Sequence, residues 1–240
     1  MRQRTLSGYP LAAAWMLGAL VSLLMMGLAG RELSAQVEPH HTAFYRSTLC
    51  LIILLPFVLR AGISAVHTRY VARHIIRNTV HFAATWCWLF GLALLPLAEV
   101  FALEFSSPIW TAVLASLFLG ERLTRSRLLA IALGFTGVLV LLRPGVAIVH
   151  PASLVVLVAA LGYAISYVVT KNLVGTDSPL TVVWWMNLVQ FPLGGIPSIG
   201  NFVIPTPALW PWLAVVGIVG VTSHYCLSQA LKHADATIVT

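Results

Sequence analysis

Charge is what this sequence has least of. Only 9% of the 240 residues are charged, and 59% are hydrophobic. An ordinary soluble domain is about 25% charged and about 45–50% apolar. A soluble chain of this composition would lack a polar coat and expose large apolar patches, so the solvent for most of it is lipid. Cysteine is also scarce: Cys50, Cys87 and Cys226 lie scattered in apolar runs. An odd, scattered set excludes a disulfide framework and has no metal-ligand spacing. There is no HExxH, no GxSxG and no paired aspartate motif, which argues against a membrane-embedded enzyme. No nucleotide-binding loop is present, so direct ATP drive is not expected, and no cofactor or metal is called for. The net charge of +7 comes from residues set between apolar runs rather than from a separate basic domain, so nucleic acid is not an expected partner.

What is there is a series of long apolar runs. A hydrocarbon core needs roughly 20 apolar helical residues. Eight runs qualify, at 10–30, 42–60, 78–96, 98–119, 127–143, 153–172, 180–199 and 209–230, and a ninth begins near Ala234. They are continuously apolar and too long for the alternating strands of a barrel, so they predict helices. The first run exceeds the 7–15 residues of a signal core and reads as a retained helix. With the N-terminus inside, eleven of the fourteen Lys and Arg fall on the inner side, Arg2, Arg4, Arg60, Arg69, Arg73, Arg77, Arg122, Arg125, Arg127, Lys171 and Lys232. Arg31 and Arg143 fall outside, and Arg46 lies within a span. That bias sets the orientation. The segment "HTRYVARHIIR" at 67–77 reads as a solvated basic loop, with an interfacial polar stripe of His67, Arg73, His74 and Arg77 as the alternative.

Two weak internal matches share an offset. "FGLALLPLAEVFA" at 90–102 aligns with "LSQALKHADATIV" at 227–239, and "FYR" at 44–46 with "WWM" at 184–186. Five helices per unit would make the second copy inverted, an arrangement many secondary transporters use.

The block "LPLAEVFALEFSSPIWTAVLASLFLGERLTRSRLLAIALGFTGVLVLLRPG" resembles the end of an EamA domain of the drug/metabolite transporter superfamily. "FSSP", "LGERLT" and "LLRPG", the arginine of "FYRSTL", and "ALKHADATIVT" in the second half carry the resemblance. It implies an all-α integral membrane protein, an EamA-type bundle of two inverted five-helix repeats, with the second truncated to three helices plus the start of a fourth. The expected units are 1–145 and 146–240. The implied function is secondary transport of a small metabolite or drug-like solute by alternating access across a bacterial plasma (inner) membrane, with the N-terminus cytoplasmic. The rival readings are a non-transporting truncated fragment or assembly subunit and, behind it, a membrane-embedded enzyme. Expected partners are a small-molecule solute, the lipid bilayer and a second copy in a homodimer.

Two glutamates in the apolar stretch from 94 to 123 set the candidate pathway. A charge at the bilayer centre costs at least about 2.5–3.5 kcal/mol. Glu99 falls in the first turn after Pro96, where the helix dipole favours an acid. Glu104 lies about 7.5 Å deeper and faces another way. Pro108 removes the N–H that would bond the Glu104 carbonyl, which predicts a kink. Arg46 is the expected partner of Glu104 or Glu99, in a gate or substrate clamp, with snorkelling as the plainer reading. Trp110 is a mid-span pocket candidate. Asn187 and Gln190 share a helix face and would bond a substrate or another helix. His224, with Ser228 one turn on, would carry a coupling proton or simply pack. Glu121 reads as a solvated turn acid beside Arg122, Arg125 and Arg127. Ala130 with Gly134, and Gly217 with Gly220, read as close helix contacts. The adjacent His40 and His41 are weak evidence for metal and assign no site.

Overall fold

The chain was analysed as a computed structural model that describes residues 8–121, 123–142 and 150–239. Arg2, Arg4, Arg122, Arg143 and the Pro144–Gly145 end of the "LLRPG" motif lie outside the described residues. The helices are α1 (Gly8–Leu33), α2 (Pro39–Ala61), α3 (Val71–Leu94), α4 (Leu97–Glu104), α5 (Ser107–Phe118), α6 (Arg125–Leu142), α7 (Pro151–Leu173), α8 (Pro179–Gly195), α9 (Trp210–His233) and α10 (Ala236–Val239). Among the described residues there is no strand. Within the described residues each expected run falls largely on helix. Among the described residues, five segments rather than the expected eight are long and apolar enough to cross a membrane: Tyr9–Leu33, Pro39–Ala61, Leu97–Phe118, Pro151–Leu173 and Pro207–His233.

Local sequence sets the ends. Proline opens α2, α7 and α8 (Pro39, Pro151, Pro179), where its missing N–H would go unpaired anyway. His150 and Ser178 cap two of these starts by accepting from Ala152 N–H (3.1 Å) and Thr181 N–H (3.1 Å). Gly62 ends α2 at φ 83, a conformation that costs other residues a Cβ clash.

The packing is inside out. Leu117 and Phe118 are 72% exposed and Leu133 73%, while Arg46, Arg77, Asn78, His81, Asn187 and Gln190 are all buried. Only a hydrocarbon surround makes that arrangement favourable. α1 lies along α9, α3 along α7 and α2 along α8. At the α2/α8 crossing a Cβ on Gly194 would sit 2.8 Å from the Phe44 backbone nitrogen and 3.0 Å from the His40 carbonyl. Backbone cannot swing aside, so Gly194→Ala is expected to cost about 1–3 kcal/mol, read as a lowered thermal midpoint of the purified protein. Gly217 and Gly220 also make the expected close contacts, against Leu49 and Cys50 of α2.

Three expectations need correction. The run 98–119 is one span that bends as expected, but the bend lies at Phe105–Ser106, between α4 and α5, and Pro108 sits in the first turn of α5. The basic stretch 67–77 is not a loop throughout. α3 begins at Val71, and His74 and Arg77 are buried among the helices; they bond α7 and the α7–α8 loop rather than water. Gly134 meets no described side chain within 4 Å of where its Cβ would be. With Ala130 it opens onto a groove on the bundle exterior.

Candidate functional site

The buried polar side chains form one chain of hydrogen bonds between helices. Arg46 of α2 donates through Nη2 to Gln190 Oε1 of α8. Gln190 Nε2 then donates to His81 Nδ1 of α3 at 2.9 Å. Only this amide orientation lets Gln190 accept from a guanidinium and donate to an imidazole at once. The His81 ring meets that of His224, on α9, edge-on at 4.8 Å, and that of Tyr163, on α7, at 5.3 Å.

These groups wall a cavity of about 50 Å³ between α1, α2, α3, α4, α7 and α9. Arg46, His81 and His224 lie on its wall with Trp88, Tyr163, Tyr167 and Glu104. Glu104, at the end of α4, accepts from Trp88 Nε1 at 2.7 Å. Tyr163 and Tyr167 are near parallel, 6.3 Å apart. Arg46 Nε, Ser223 Oγ and His224 Nδ1 are buried with no hydrogen-bond partner. Such groups cost about 1–3 kcal/mol each when left dry, and each is available to bond a guest in the cavity.

The two ends of the cavity differ. Toward the α1–α2 loop it shares Gly30, Thr42 and Leu89 with a vestibule of about 330 Å³. Toward the α2–α3 and α7–α8 loops the bundle is bolted shut. Arg77 donates to Thr170 Oγ1 (3.0 Å) and Asn78 Oδ1 (2.6 Å). Asp177 accepts from Thr68 Oγ1 (2.7 Å) and bonds His74 Nε2 (2.8 Å). Trp185 Nε1 donates to the Val66 carbonyl (2.9 Å) and Thr181 to that of Ala65 (2.8 Å).

The structure thus brings together Arg46, Glu104, Gln190 and His224. Arg46 and Glu104 share a cavity, yet neither glutamate forms an ion pair with Arg46: its partner is Gln190. Glu99 accepts from Ser153 Oγ of α7 at 2.8 Å, away from the cavity. Asn187 is buried but donates to its own helix at Val183 O. Pro108 lines a groove between α4, α5 and α6 and also a pocket of about 90 Å³ that shares Glu104 and Tyr167 with the cavity; Trp110 is 42% exposed and lines none of these pockets. Glu121 is no solvated acid. It accepts from the backbone N–H groups of Ala236 (2.8 Å) and Thr237 (3.1 Å), a carboxylate capping α10. The reasoning from sequence missed Arg77, Asn78, Trp88, Tyr163 and Tyr167. "HIIRNTVH" carried a usable signal, since positions 74, 77, 78 and 81 fall on one helix face.

Comparison with known proteins agrees with this architecture. The EamA-like transporter family matches residues 10–143 and 150–240. A riboflavin transporter of Rhizobium johnstonii is 30% identical, the match covering 100% of this chain and 82% of that protein. An S-adenosylmethionine uptake transporter of Rickettsia bellii is 28% identical, over 97% and 80%. A pseudopaline exporter of Pseudomonas aeruginosa is 27% identical, over 90% and 76%. A solved crystal structure with 18% identity superposes at a TM-score of 0.72, over 95% of this chain and 82% of that one, a likeness of fold. These relatives bear the names of transporters, not enzymes. The chain is a multi-pass membrane protein that transports small solutes, and it belongs to the EamA-like transporter family.

Proposed function

We propose that the protein moves a flat heteroaromatic solute bearing an anionic, zwitterionic or carbonyl acceptor group across the bacterial plasma membrane by alternating access, binding it in the cavity beside Arg46. The observation that carries this reading is the cavity wall itself. One buried arginine with an unpartnered Nε faces a space flanked by Trp88, Tyr163 and Tyr167. A guanidinium suits an anionic oxygen, and aromatic faces suit a flat ring. His224 supplies a further polar contact, Gln190 positions Arg46 from behind the wall, and Glu104 takes a cationic end. Pro108 sets the helix break that ends α4 at Glu104, while Glu99 and Asn187 hold helices in place. Riboflavin and S-adenosylmethionine, named for two of the relatives, both have a flat heteroaromatic ring.

A cavity of about 50 Å³ is far below the roughly 300–1,000 Å³ of a ligand pocket. The helices must therefore part to admit cargo, which is what alternating access requires. Two inverted units, 1–145 and 146–240, supply the moving parts. Their support is the pairing of helices: α1 with α9 and α3 with α7 exchange under a two-fold axis in the membrane plane, and α2 with α8 lies on it. Arg60, Arg69, Arg73, Arg125, Arg127, Lys171 and Lys232 gather on one face and Arg31 on the other, which supports a cytoplasmic N-terminus. The vestibule then opens to the outside and the bolted face is cytoplasmic. The test is uptake of labelled riboflavin and S-adenosylmethionine into proteoliposomes. Saturable uptake of at least one is expected; neither exceeding protein-free liposomes would overturn the reading.

A further inference from the structure

We infer that the first turn of α2 is a binding site for a borderline divalent transition metal, with Glu38, His40 and His41 as its ligands. One ligand atom from each residue lies within 4.8 Å of the others. His40 Nδ1 stands 3.4 Å from Glu38 Oε2, close to the ~3.3 Å that separates two ligands on a tetrahedral zinc with bonds of about 2.0–2.1 Å. The two imidazole centroids are 4.0 Å apart, closer than the ~5 Å that bonds of about 2.0–2.1 Å to one tetrahedral ion impose, so the His40 ring must turn as the ion binds.

The second, independent observation is an unpaired lone pair. His41 is fully buried, and its Nδ1 has no hydrogen-bond partner. Its other nitrogen, Nε2, is bonded to the Asn201 carbonyl at 2.8 Å. A carbonyl can only accept, so Nε2 carries the hydrogen and Nδ1 presents its lone pair. A histidine fixed by a backbone carbonyl on one nitrogen, with the other free, is the arrangement metal-ligating histidines adopt. His40 Nε2 is likewise buried and unpartnered, so His40 can turn either nitrogen to an ion. A third of the set, Glu38, is exposed at 65% of its side chain and lines the vestibule. It is the ligand free to swing in, and the vestibule is the route of entry. Two imidazoles and one carboxylate suit zinc, nickel or copper rather than magnesium, and three protein ligands leave a position open for water.

A bound ion ties the start of α2 to the α8–α9 connection through His41 and Asn201, at the rim of the vestibule. The ion therefore holds the rim rather than travelling as cargo. This consequence rests on the transport reading; binding itself does not.

The experiment is calorimetric titration of Zn²⁺ into the purified full chain, carrying no polyhistidine tag, in lipid nanodiscs. One Zn²⁺ per chain is expected, with Mg²⁺ giving no heat. His40→Ala and Glu38→Gln, both at the rim, should each weaken binding about tenfold or more, since even outer-shell partners of a ligand are worth 10–100-fold. His41→Ala should do the same, and the two rim variants decide the matter if that buried position does not tolerate the change. Absence of Zn²⁺ binding, or unchanged affinity in His40→Ala and Glu38→Gln, overturns the site. No flux is measured, so this result stands or falls separately from uptake of riboflavin or S-adenosylmethionine.

Discussion

Arg46→Met is expected to abolish most transport while leaving the protein close to the wild type in stability. The two effects separate because Arg46 lacks an acidic partner. A charge at mid-bilayer costs at least about 2.5–3.5 kcal/mol, and Arg46 offsets this with its bond to Gln190 while its Nε goes without a partner. Methionine relieves that cost but leaves the buried Gln190 Oε1 without its donor, at about 1–3 kcal/mol, so the two changes largely cancel in stability. What the variant loses is the donor for an anionic cargo. A hydrogen bond to a charged group contributes about 1.5–3 kcal/mol, which is roughly 10–150-fold in binding. Arg46→Lys should recover only part of this, because a point charge cannot reproduce the planar fork. Uptake rate and thermal midpoint, measured on one preparation, test both halves. Normal uptake by Arg46→Met would remove the arginine from the pathway.

Asp177→Ala should loosen the bolted face. Asp177 holds Thr68 and His74 at once, on the loop between α7 and α8. His74 is fully buried, and its Nδ1 already has no partner. Without the carboxylate its Nε2 would be stranded as well, at a cost of about 1–3 kcal/mol. That cost falls only on the closed face, so its open population should rise by about 5–150-fold. A cysteine introduced at Val66, buried in that seam, reports the change in a background lacking Cys50, Cys87 and Cys226. Its labelling by a thiol reagent should accelerate in Asp177→Ala. Equal rates would mean that the loops are held by something other than this bond.

The helices were legible because apolar length is a property of the sequence alone. Azimuth was not. Trp110 was expected in a pocket because it lies near mid-span, but the break at Phe105–Ser106 resets the helical phase and turns the ring outward. His74 and Arg77 were assigned to a basic loop because charge counts against a span in any hydropathy window. In the structure they are what the span exists to bury. Glu121 was taken for a solvated acid because its partners, the N–H groups of α10, lie 115 and 116 residues away. Gln190 was one candidate among several; its bridge from Arg46 to His81 depends on three helices meeting, which no local pattern encodes.

The central claim is that the cavity beside Arg46 is reached alternately from the two sides of the membrane. Ser223→Cys tests it most directly, since Ser223 lines that cavity, is buried, and has no partner for its Oγ among the described residues. In a background lacking the native cysteines, a membrane-impermeant thiol reagent is applied to oriented vesicles from one side or the other, with and without cargo. The account predicts slow labelling from both sides, with a ratio that cargo shifts. Labelling from one side alone whatever the cargo, or from neither under any condition, would contradict it.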